Sequence, residues 1–585
     1  MSLLNDHSMK TTPALYKMSF LIFLLSVLLI LPVEGFTQQR SEALHKIFQA
    51  EQDFNRERGK KWKEDWPYYT EEFIVEELLN LTFWKQDLAK IDKKSLNQSD
   101  QINLELFQLT LEDRIFNLKY QSYLMPLNSE GGFITGILYN IQSTRLKNKE
   151  GQESYLRKLG ALPAYLKRQQ ALLEEGLEKK ITVPKIIVEK CLNIIEGFSE
   201  TSADQSVFVK PFDGFEAEEN GYLRAIELVE SKIIPAYKKF YEYVKGTYLK
   251  KTRESIAARD LPNGAAYYEQ RVRFFTTLNI SPEEVFETGQ SEVARIRAEM
   301  EEIIEELDFE GNFADFLEFL RTDPQFYAKT TKELLLKAAW ISKRAEAVLP
   351  RYFGNLPRMP FTVEPVPAAI APNYTGGRYS EGNYRTGKPG AFWVNTYALN
   401  TRPLYVLPAL ALHESVPGHH TQIMLAAEIQ EVPAFRRNTY LSAFGEGWAL
   451  YAEYLGKEAG IYETAYEDFG RLTYEMWRAC RLVVDVGMHY KGWTRQQALD
   501  FMAENTALSL HEVETEIDRY IGWPAQAVSY KMGEISIRKL RKEAEESLGG
   551  KFNIREFHDE VLKNGSIPML SLQRIIRKYI EENQN

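Results

Sequence analysis

Residues 411–422, with the sequence ALHESVPGHHTQ, place three histidines and one glutamate within eight positions. A histidine, an adjacent glutamate and a second histidine one helical turn later are typical of zinc peptidases. That spacing puts both imidazoles on one face of a helix, with the glutamate beside them as a base. Here Pro417 occupies the position of the second histidine, and proline cannot bind a metal. The segment is a broken zinc motif, an altered one, or an accident of composition.

Helix geometry favours an altered motif. On a straight helix His420 would return to the face of His413, but about 10.5 Å further along the axis. Zn–N bonds of about 2.0–2.1 Å make that separation too wide for one metal ion. Pro417 and Gly418 predict a break in the helix. If the break absorbs two residues, His419 takes the second ligand position, and His420 is the weaker candidate. The alternative is a set of ordinary polar residues near a turn.

A third zinc ligand is expected from the segment AFGEGWALYAEYLGKEAG. Glu446 and Glu453 are seven residues apart in this segment and can share one face of a helix. The apolar residues between them predict a buried helix, where a carboxylate needs a partner. We predict Glu446 as the ligand and Glu453 as the weaker candidate, although surface helices also carry glutamates.

Three further residues are candidates for catalysis. Glu414, next to the first histidine, is predicted to accept the proton of a zinc-bound water. His489, four residues after Asp485, and Tyr530 are predicted to donate hydrogen bonds to the developing oxyanion. A structural His–Asp pair and a packed core tyrosine are about equally good explanations of the last two.

Two arginines three residues apart, Arg478 and Arg481, could clamp a substrate carboxylate. Pairing with nearby acids is the slightly favoured alternative. The segment KPGAFWVN, residues 388–395, is predicted to be an edge strand whose free backbone groups could hold an extended peptide.

The elements around these residues are predicted to be mainly helical. Apolar residues recur at three-to-four spacing from Ser41 to about Tyr352, and Ser281 is a predicted helix N-cap. Residues 356–396 are rich in proline and glycine, with two short strands, FTVEPV and GAFWVNT, around a predicted loop, NYTGGRYSEGNYRTGKPG. Helical patterns then resume. The predicted fold is a large helical, zinc-peptidase-like architecture with a deep cleft and a small β-sheet beside the active site.

The N-terminus predicts export. A basic start is followed by an apolar core, Phe20–Leu31, that is shorter than the roughly 20 residues of a membrane span. We predict a signal peptide over residues 1–36, with an uncleaved anchor as the alternative and no second span. Residues 37–355 form an N-terminal helical region and residues 356–585 a zinc-binding catalytic region, in one continuous globular unit. The expected location is the periplasm or cell envelope.

Composition excludes several other classes of protein. The net charge is −10 and no long basic run occurs, so a nucleic-acid partner is not expected. Only two cysteines are present, Cys191 and Cys480, so neither a cysteine-based zinc site nor a disulfide framework is possible. We expect both to be buried small hydrophobic residues.

Three motifs together resemble a bacterial family of zinc metallopeptidases that is catalogued as a domain of unknown function. They are HESVPGH, EGWALYAE and RYIGWPAQAVSYKMG. The resemblance covers nearly all of the chain after the predicted signal peptide. It implies bound Zn²⁺, a helical fold with a deep channel and a similarity to carboxypeptidases and oligopeptidases. The position of His420 can be apolar in that family, which favours His419 as the ligand.

The predicted function is an exported, zinc-dependent hydrolase that cleaves peptide bonds, chiefly in short peptides. Two alternatives remain open: a hydrolase of a non-peptide amide or amino-acid conjugate, and a binding protein on the same fold without catalysis. Glu414 argues against the second, because a pure binding protein has no use for a base beside a metal.

Overall fold

A computed structural model describes residues 34–128, 131–213, 220–368, 371 and 374–584. The predicted signal peptide therefore lies almost wholly outside the described residues, and the division at residue 355 stays a prediction. The prediction of a mainly helical chain with one small sheet is confirmed. No helix within the described ranges is long and apolar enough to cross a bilayer.

Thirteen α-helices are described before the sheet. They are α1 Glu34–Lys61, α2 Glu71–Leu88, α3 Gln98–Tyr120, α4 Phe133–Ser143, α5 Lys149–Lys179, α6 Lys185–Glu200, α7 Asn220–Leu228, α8 Ile234–Tyr243, α9 Leu249–Lys251, α10 Gly264–Thr276, α11 Pro282–Glu306, α12 Phe313–Thr322 and α13 Thr331–Tyr352. Two π-helical turns, Val229–Ile233 and Val244–Tyr248, join α7, α8 and α9.

Ten described helices follow the sheet and supply the candidate site. They are α14 Leu407–Glu414, α15 His419–Glu428, α16 Ala434–Asn438, α17 Ser442–Glu458, α18 Ala465–Val486, α19 Arg495–Asn505, α20 Leu510–Gly522, α21 Ser529–Leu548, α22 Ile554–Leu562 and α23 Met569–Gln584.

Helix α11 shows how local sequence starts a helix. The Ser281 hydroxyl accepts the backbone N–H of Glu284, and the Glu284 carboxylate accepts the N–H of Ser281. This reciprocal cap satisfies donors that the first turn leaves free, and Pro282 has no N–H to satisfy. The predicted N-cap is confirmed.

The sheet has the strand order β1-β3-β2, with β1 Phe361–Pro365, β2 Gly377–Ser380 and β3 Gly390–Val394. Both predicted strands are present. The prediction of β3 as an edge strand is wrong, because β3 pairs in parallel with β1 and antiparallel with β2. Strand β2 lies inside the predicted loop. Its four residues, GRYS, begin with the second of two glycines and carry little local signal, so pairing with β3 determines the strand.

Helices that precede the sheet in the chain and helices that follow it pack into one shared core. One hydrophobic cluster extends from Trp66 to Ile580. Helix α11 approaches α18 closely at Gly289, where an added Cβ would lie 2.7 Å from the Cβ of Leu482. Cys191 and Cys480 are free and buried in this interior, as expected.

Three buried histidines stay neutral in the folded protein. Burial lowers the pKa of His420 and His489 to about 4 and that of His558 to about 3. His558 hydrogen-bonds the Tyr451 hydroxyl at 2.7 Å and the Tyr352 carbonyl at 2.8 Å. In the unfolded chain each histidine binds a proton when the pH falls below its ordinary pKa of about 6.5, whereas in the folded protein these three rings stay neutral at that pH. Their contribution to the free energy of unfolding is therefore complete above about pH 6.5 and is lost as the pH falls toward 4.

We expect acidification from pH 7 to pH 5 to destabilise the protein by about 2 kcal/mol for each of these rings. His558→Gln should lower the melting temperature at pH 7, yet show a smaller further drop at pH 5 than the wild type. His511→Gln, at an exposed position on α20, is the matched control and should keep the wild-type drop. Melting curves at both pH values measure this, and equal drops in all three proteins would contradict it.

Candidate metal centre

The chain breaks its helical course between the two predicted histidine ligands. Helix α14 ends at Glu414 and α15 begins at His419. The Gly418 N–H donates to the Leu412 carbonyl at 3.0 Å, and the Val416–Pro417 peptide is cis. A Cβ on residue 418 would lie 2.0 Å from the His413 carbonyl oxygen, so only glycine fits there.

The break brings His413 and His419 face to edge. Their ring centroids are 4.8 Å apart with an interplanar angle of 89°. Glu446 Oε2 lies 3.5 Å from His413 Nε2 and 3.3 Å from His419 Nε2. The three ligand atoms all lie within 4.8 Å of one another. Two imidazole nitrogens and one carboxylate oxygen are the donors of many catalytic zinc sites, which leave a fourth position for water or substrate.

Each of the three side chains is oriented by a second contact. The His413 Nδ1–H donates to Glu453 Oε1 at 2.7 Å, which turns Nε2 toward the centre. The Gln422 amide lies 3.1 Å from His419 Nδ1. It is the amide nitrogen, Nε2, that faces the ring and donates to Nδ1. A half-turn of the amide, whose two ends are nearly alike in shape, would let its oxygen accept the Nδ1–H and leave His419 Nε2 free for a metal. The Tyr440 hydroxyl donates to Glu446 Oε1 at 3.0 Å. Such contacts fix the tautomers and rotamers that a metal site needs.

The electrostatics of the cluster favour a cation. Burial alone would raise the pKa of Glu446, but the two histidines hold it well below its usual range. Burial likewise opposes charge on His413, yet its hydrogen bonds with Glu446 and Glu453 raise its pKa to about 9. A group of carboxylates that raises the pKa of a buried imidazole also stabilises a metal cation at the same place.

Helix α17 supplies several of these contacts from one motif. The Trp448 Nε1–H donates to the Pro417 carbonyl at 2.8 Å and so holds the helix break against α17. Gly447 faces Gly533 of α21, where an added Cβ would lie 2.5 Å from the Gly533 carbonyl carbon. This close crossing packs α21 against α17, and Tyr530, on the first turn of α21, interacts electrostatically with Glu446. The segment EGWALYAE thus contains the predicted ligand Glu446, the indole that holds the break and the carboxylate that orients His413.

Glu414 lies beside the cluster and is held by the sheet. Its side chain is buried, and Oε2 accepts the backbone N–H of Tyr379 in β2 at 2.7 Å. The edge strand next to the site is therefore β2 rather than the predicted segment 388–395. Because its Tyr379 N–H binds Glu414 Oε2, β2 positions the predicted base and leaves the second carboxylate oxygen without this contact.

His420 is directed away from the cluster. Its Nδ1 lies 2.9 Å from the Tyr379 hydroxyl and its Nε2 lies 2.9 Å from the Met359 carbonyl. Because the neutral ring donates from Nε2 and accepts at Nδ1, neither nitrogen is free for a metal. Glu453 is similarly committed to His413.

The two predicted oxyanion donors are placed differently. His489 Nε2 lies 2.9 Å from the Tyr520 carbonyl, and its Nδ1 accepts the Ala258 N–H at 3.3 Å. Its only N–H is thus used in a backbone contact. The expected Asp485–His489 pairing is replaced by hydrogen bonds to Asp485 from the Tyr268 hydroxyl at 2.6 Å and the Ala525 N–H at 3.0 Å. The prediction of His489 as an oxyanion donor is not supported by this arrangement.

Tyr530 lies close to the cluster, together with Tyr440, which the sequence analysis did not single out. Desolvation, followed by the negative charge of Glu446, raises the pKa of both phenols, so both remain protonated donors. Tyr440 lies six residues before Glu446, across the corner from α16 to α17. No helical periodicity links residues across such a corner, so only the folded chain reveals the contact.

Comparisons with known proteins agree with this architecture. A profile described as "Bacterial protein of unknown function (DUF885)" matches residues 54–576. A solved structure described as "the putative lipoprotein from Colwellia psychrerythraea" is 26% identical, covers 93% of this chain and 99% of its own, and gives a TM-score of 0.85.

A second solved structure, described as "a putative lipoprotein of unknown function from Shewanella oneidensis", shares the fold. It is 18% identical, covers 91% of this chain and 99% of its own, and gives a TM-score of 0.74. Among proteins with curated descriptions, none matches this chain.

Gly418→Ala should damage the centre because the new methyl group would meet the His413 carbonyl. We expect a loss of at least about 1 kcal/mol in stability and a marked loss of bound zinc. Gly197→Ala, in α6 with nothing within 4 Å of the added carbon, is the matched control and should change neither quantity adversely. Metal analysis after zinc loading, together with melting curves, measures both. Full zinc occupancy in Gly418→Ala would contradict this account.

Substitution of the two neighbouring histidines should separate their roles. His419→Ala removes a predicted ligand and should abolish zinc retention, as should Glu446→Ala. His420→Ala should retain zinc while losing stability, because it removes contacts with Tyr379 and Met359. Zinc content per chain after dialysis distinguishes them. An empty site in His420→Ala combined with a filled one in His419→Ala would reverse the assignment.

Proposed function

The chain belongs to the DUF885 family of bacterial proteins of unknown function, and from that premise we propose that it is a zinc-dependent hydrolase of peptide bonds in short peptides. The observation that carries this proposal is the convergence of His413, His419 and Glu446, with Glu414 held at their side. The peptide substrate rests on the similarity of the HESVPGH and EGWALYAE motifs to those of zinc peptidases. Zn²⁺ is the proposed cofactor because the donor set is two nitrogens and one oxygen.

His413, His419 and Glu446 would hold the metal, and zinc when bound lowers the pKa of water and polarises a substrate carbonyl. Glu414 then acts as the base. Its Oε2 is fixed by the Tyr379 N–H, so the other oxygen accepts the proton of the attacking water. The same carboxyl delivers that proton to the leaving amine as the peptide bond breaks.

Two phenols are placed to stabilise the charge that develops on the substrate. Tyr530 lies beside Glu446 and keeps its proton, so its hydroxyl is the proposed donor to the oxyanion. Tyr440 donates to Glu446 Oε1, so its proposed role is to orient that ligand. Neither role needs a change of charge on the tyrosine at neutral pH.

We further propose that the enzyme is exported and works in the periplasm or at the cell envelope. The apolar N-terminal segment and the likeness to two proteins described as lipoproteins support this location.

Glu414→Gln tests the proposal directly, because the amide cannot accept a proton. We expect normal zinc content and a fall in turnover of about 10²–10⁴-fold. The assay is mass spectrometry of a mixed short-peptide digest with the zinc-loaded protein, with and without a chelator. Wild-type turnover in a zinc-loaded Glu414→Gln protein would remove Glu414 as the base. Failure of the zinc-loaded wild type to hydrolyse any peptide would remove the peptidase proposal.

A further inference from the structure

A pocket of about 270 Å³ lies against α14 and the sheet. Its wall includes Leu410, three residues before His413 on α14, and Gly376, just before β2. Residues three apart on a helix are separated by about 4.5 Å along the axis. One wall of the pocket therefore lies within one helical turn of a proposed zinc ligand. Its polar lining includes Arg402, Thr473 and Glu512.

Arg478 connects this pocket to the centre. Its guanidinium lies 4.6 Å from the ring centroid of Tyr474, which lines the pocket, and donates to the Tyr474 carbonyl at 3.3 Å. On its other side, Nη2 lies 3.8 Å from Glu453 Oε1, the atom that accepts the His413 Nδ1–H. A ligand that reached Arg478 would therefore lie close to the proposed zinc position.

Arg481, one turn later on α18, reaches the other flank of the site. Its guanidinium carbon lies 4.3 Å from the ring centroid of Tyr530, the proposed oxyanion donor. Its Nε donates to the Tyr520 hydroxyl at 2.7 Å and Nη2 to Glu516 at 3.0 Å. Both arginine side chains are almost wholly buried, with 5% and 3% of their surface exposed.

Several donors in this region lack a protein acceptor. Within the described part of the chain, two residues of the pocket wall have a buried polar atom without a hydrogen-bond partner, Arg402 Nε and Thr473 Oγ1. Arg478 Nε and Arg481 Nη1, on the helix that carries Thr473, also lack a partner. A buried donor left unpaired costs about 1–3 kcal/mol, so native proteins rarely keep one without a function. Two of these atoms lie in the pocket wall, and Arg478 lies directly behind Tyr474 of that wall, so the pocket suits a ligand rich in acceptor oxygens.

The nearby acids do not neutralise these arginines fully. Glu516 already accepts from Arg481, Arg519 and the Tyr520 hydroxyl. Burial, together with the charge of Glu516, raises the pKa of Glu512 to about 7, so this carboxyl is partly neutral at physiological pH. The region therefore keeps positive charge and free N–H groups for an incoming anion.

We infer that this pocket binds the free C-terminal carboxylate of the peptide substrate, with Arg402 and Arg478 as its donors, so that cleavage occurs near the C-terminus. A guanidinium matches a carboxylate in charge and in geometry. The pocket is slightly smaller than the 300–1,000 Å³ typical of sites for drug-sized ligands, which suits a short chain end. The inference rests on the proposed function, because it names the substrate class of the same centre.

The test is a binding measurement that needs no turnover. Zinc-loaded Glu414→Gln protein is titrated calorimetrically with three forms of one short peptide: the free acid, the C-terminal amide, and an amide carrying an aspartate near its end. We expect the free acid to bind at least tenfold more tightly than either amide, because a site built to pair a carboxylate rejects an analogue that lacks it. Arg402→Met in the same background should reduce that preference to less than threefold.

Two further variants sharpen the experiment. Arg478→Gln should reduce the preference as Arg402→Met does. Arg577→Met, at an exposed arginine of α23 that pairs with Glu543, is the matched control and should leave the preference unchanged. Melting curves show whether each variant is folded.

Equal binding of all three peptides, or no detectable binding, would overturn the inference. So would a preference for the free acid that survives in both Arg402→Met and Arg478→Gln. Tight binding of the aspartate-bearing amide would show that the pocket recognises an acidic side chain instead.

Product analysis separates the two proposals. If the zinc-loaded wild type hydrolyses no peptide but the preference for the free acid is present, the peptidase proposal fails and the binding site stands. If amides are cleaved as fast as free acids, or cleavage falls mainly far from the C-terminus, the peptidase proposal stands and the carboxylate pocket does not.

Discussion

Glu446 brings a carboxylate into the interior of a helical protein, where Oε2 lies 3.3 and 3.5 Å from two imidazole nitrogens. A buried carboxylate is costly unless charge or hydrogen bonds compensate for it. The compensation is built from several directions: Tyr440 donates to its other oxygen, and His413 and His419 face it with their Nε2 atoms. A divalent cation at this point would be bound by all three ligand atoms, the two imidazole nitrogens and the carboxylate oxygen. For this reason we interpret the surrounding structure as a metal site.

The break after α14 and the length of α17 serve this one arrangement. Gly418 lets the backbone fold back onto the His413 carbonyl, and Trp448 fixes the break by its bond to the Pro417 carbonyl. Two turns after Glu446 on α17, Glu453 orients His413. Loss of any of these contacts would let the imidazole rings turn away from the centre. The contacts therefore serve to orient the rings more than to stabilise the fold.

A buried network of ion pairs holds together the helices that pack around the candidate centre. The Lys531 ammonium is fully buried and lies within 3.0 Å of Glu292, Glu475 and Glu534, which come from α11, α18 and α21. Breaking such a network by removing one partner leaves an unpaired buried charge, so the three helices are held in register. Tyr530, the neighbour of Lys531, is thereby placed beside Glu446. Helix α18 also presents Arg478 and Arg481, so one rigid element joins the ion network to the proposed carboxylate pocket.

Local sequence determined the mainly helical course of the chain, the strands β1 and β3, and the identity of the residues that meet. Periodicity and caps are local properties, and the Ser281 cap depends on four consecutive residues. The juxtaposition of His413 and His419 was also accessible, because Pro417 and Gly418 exclude a straight helix and the remaining geometry leaves few choices. Even the seven-residue spacing of Glu446 and Glu453 indicated that both would face the same side of α17.

Only the tertiary structure decided which partner each of these side chains takes. Spacing alone suggested Asp485 for His489, but the helix packs so that the ring binds backbone atoms of distant segments instead. Strand β2 exists because β3 pairs with it, and through Tyr379 it holds Glu414, a contact between residues 35 positions apart. Tyr440 reaches Glu446 across a corner of the chain. Such contacts depend on how whole helices and strands are placed, and the free energy of that placement comes from burial summed over the entire core rather than from any local pattern.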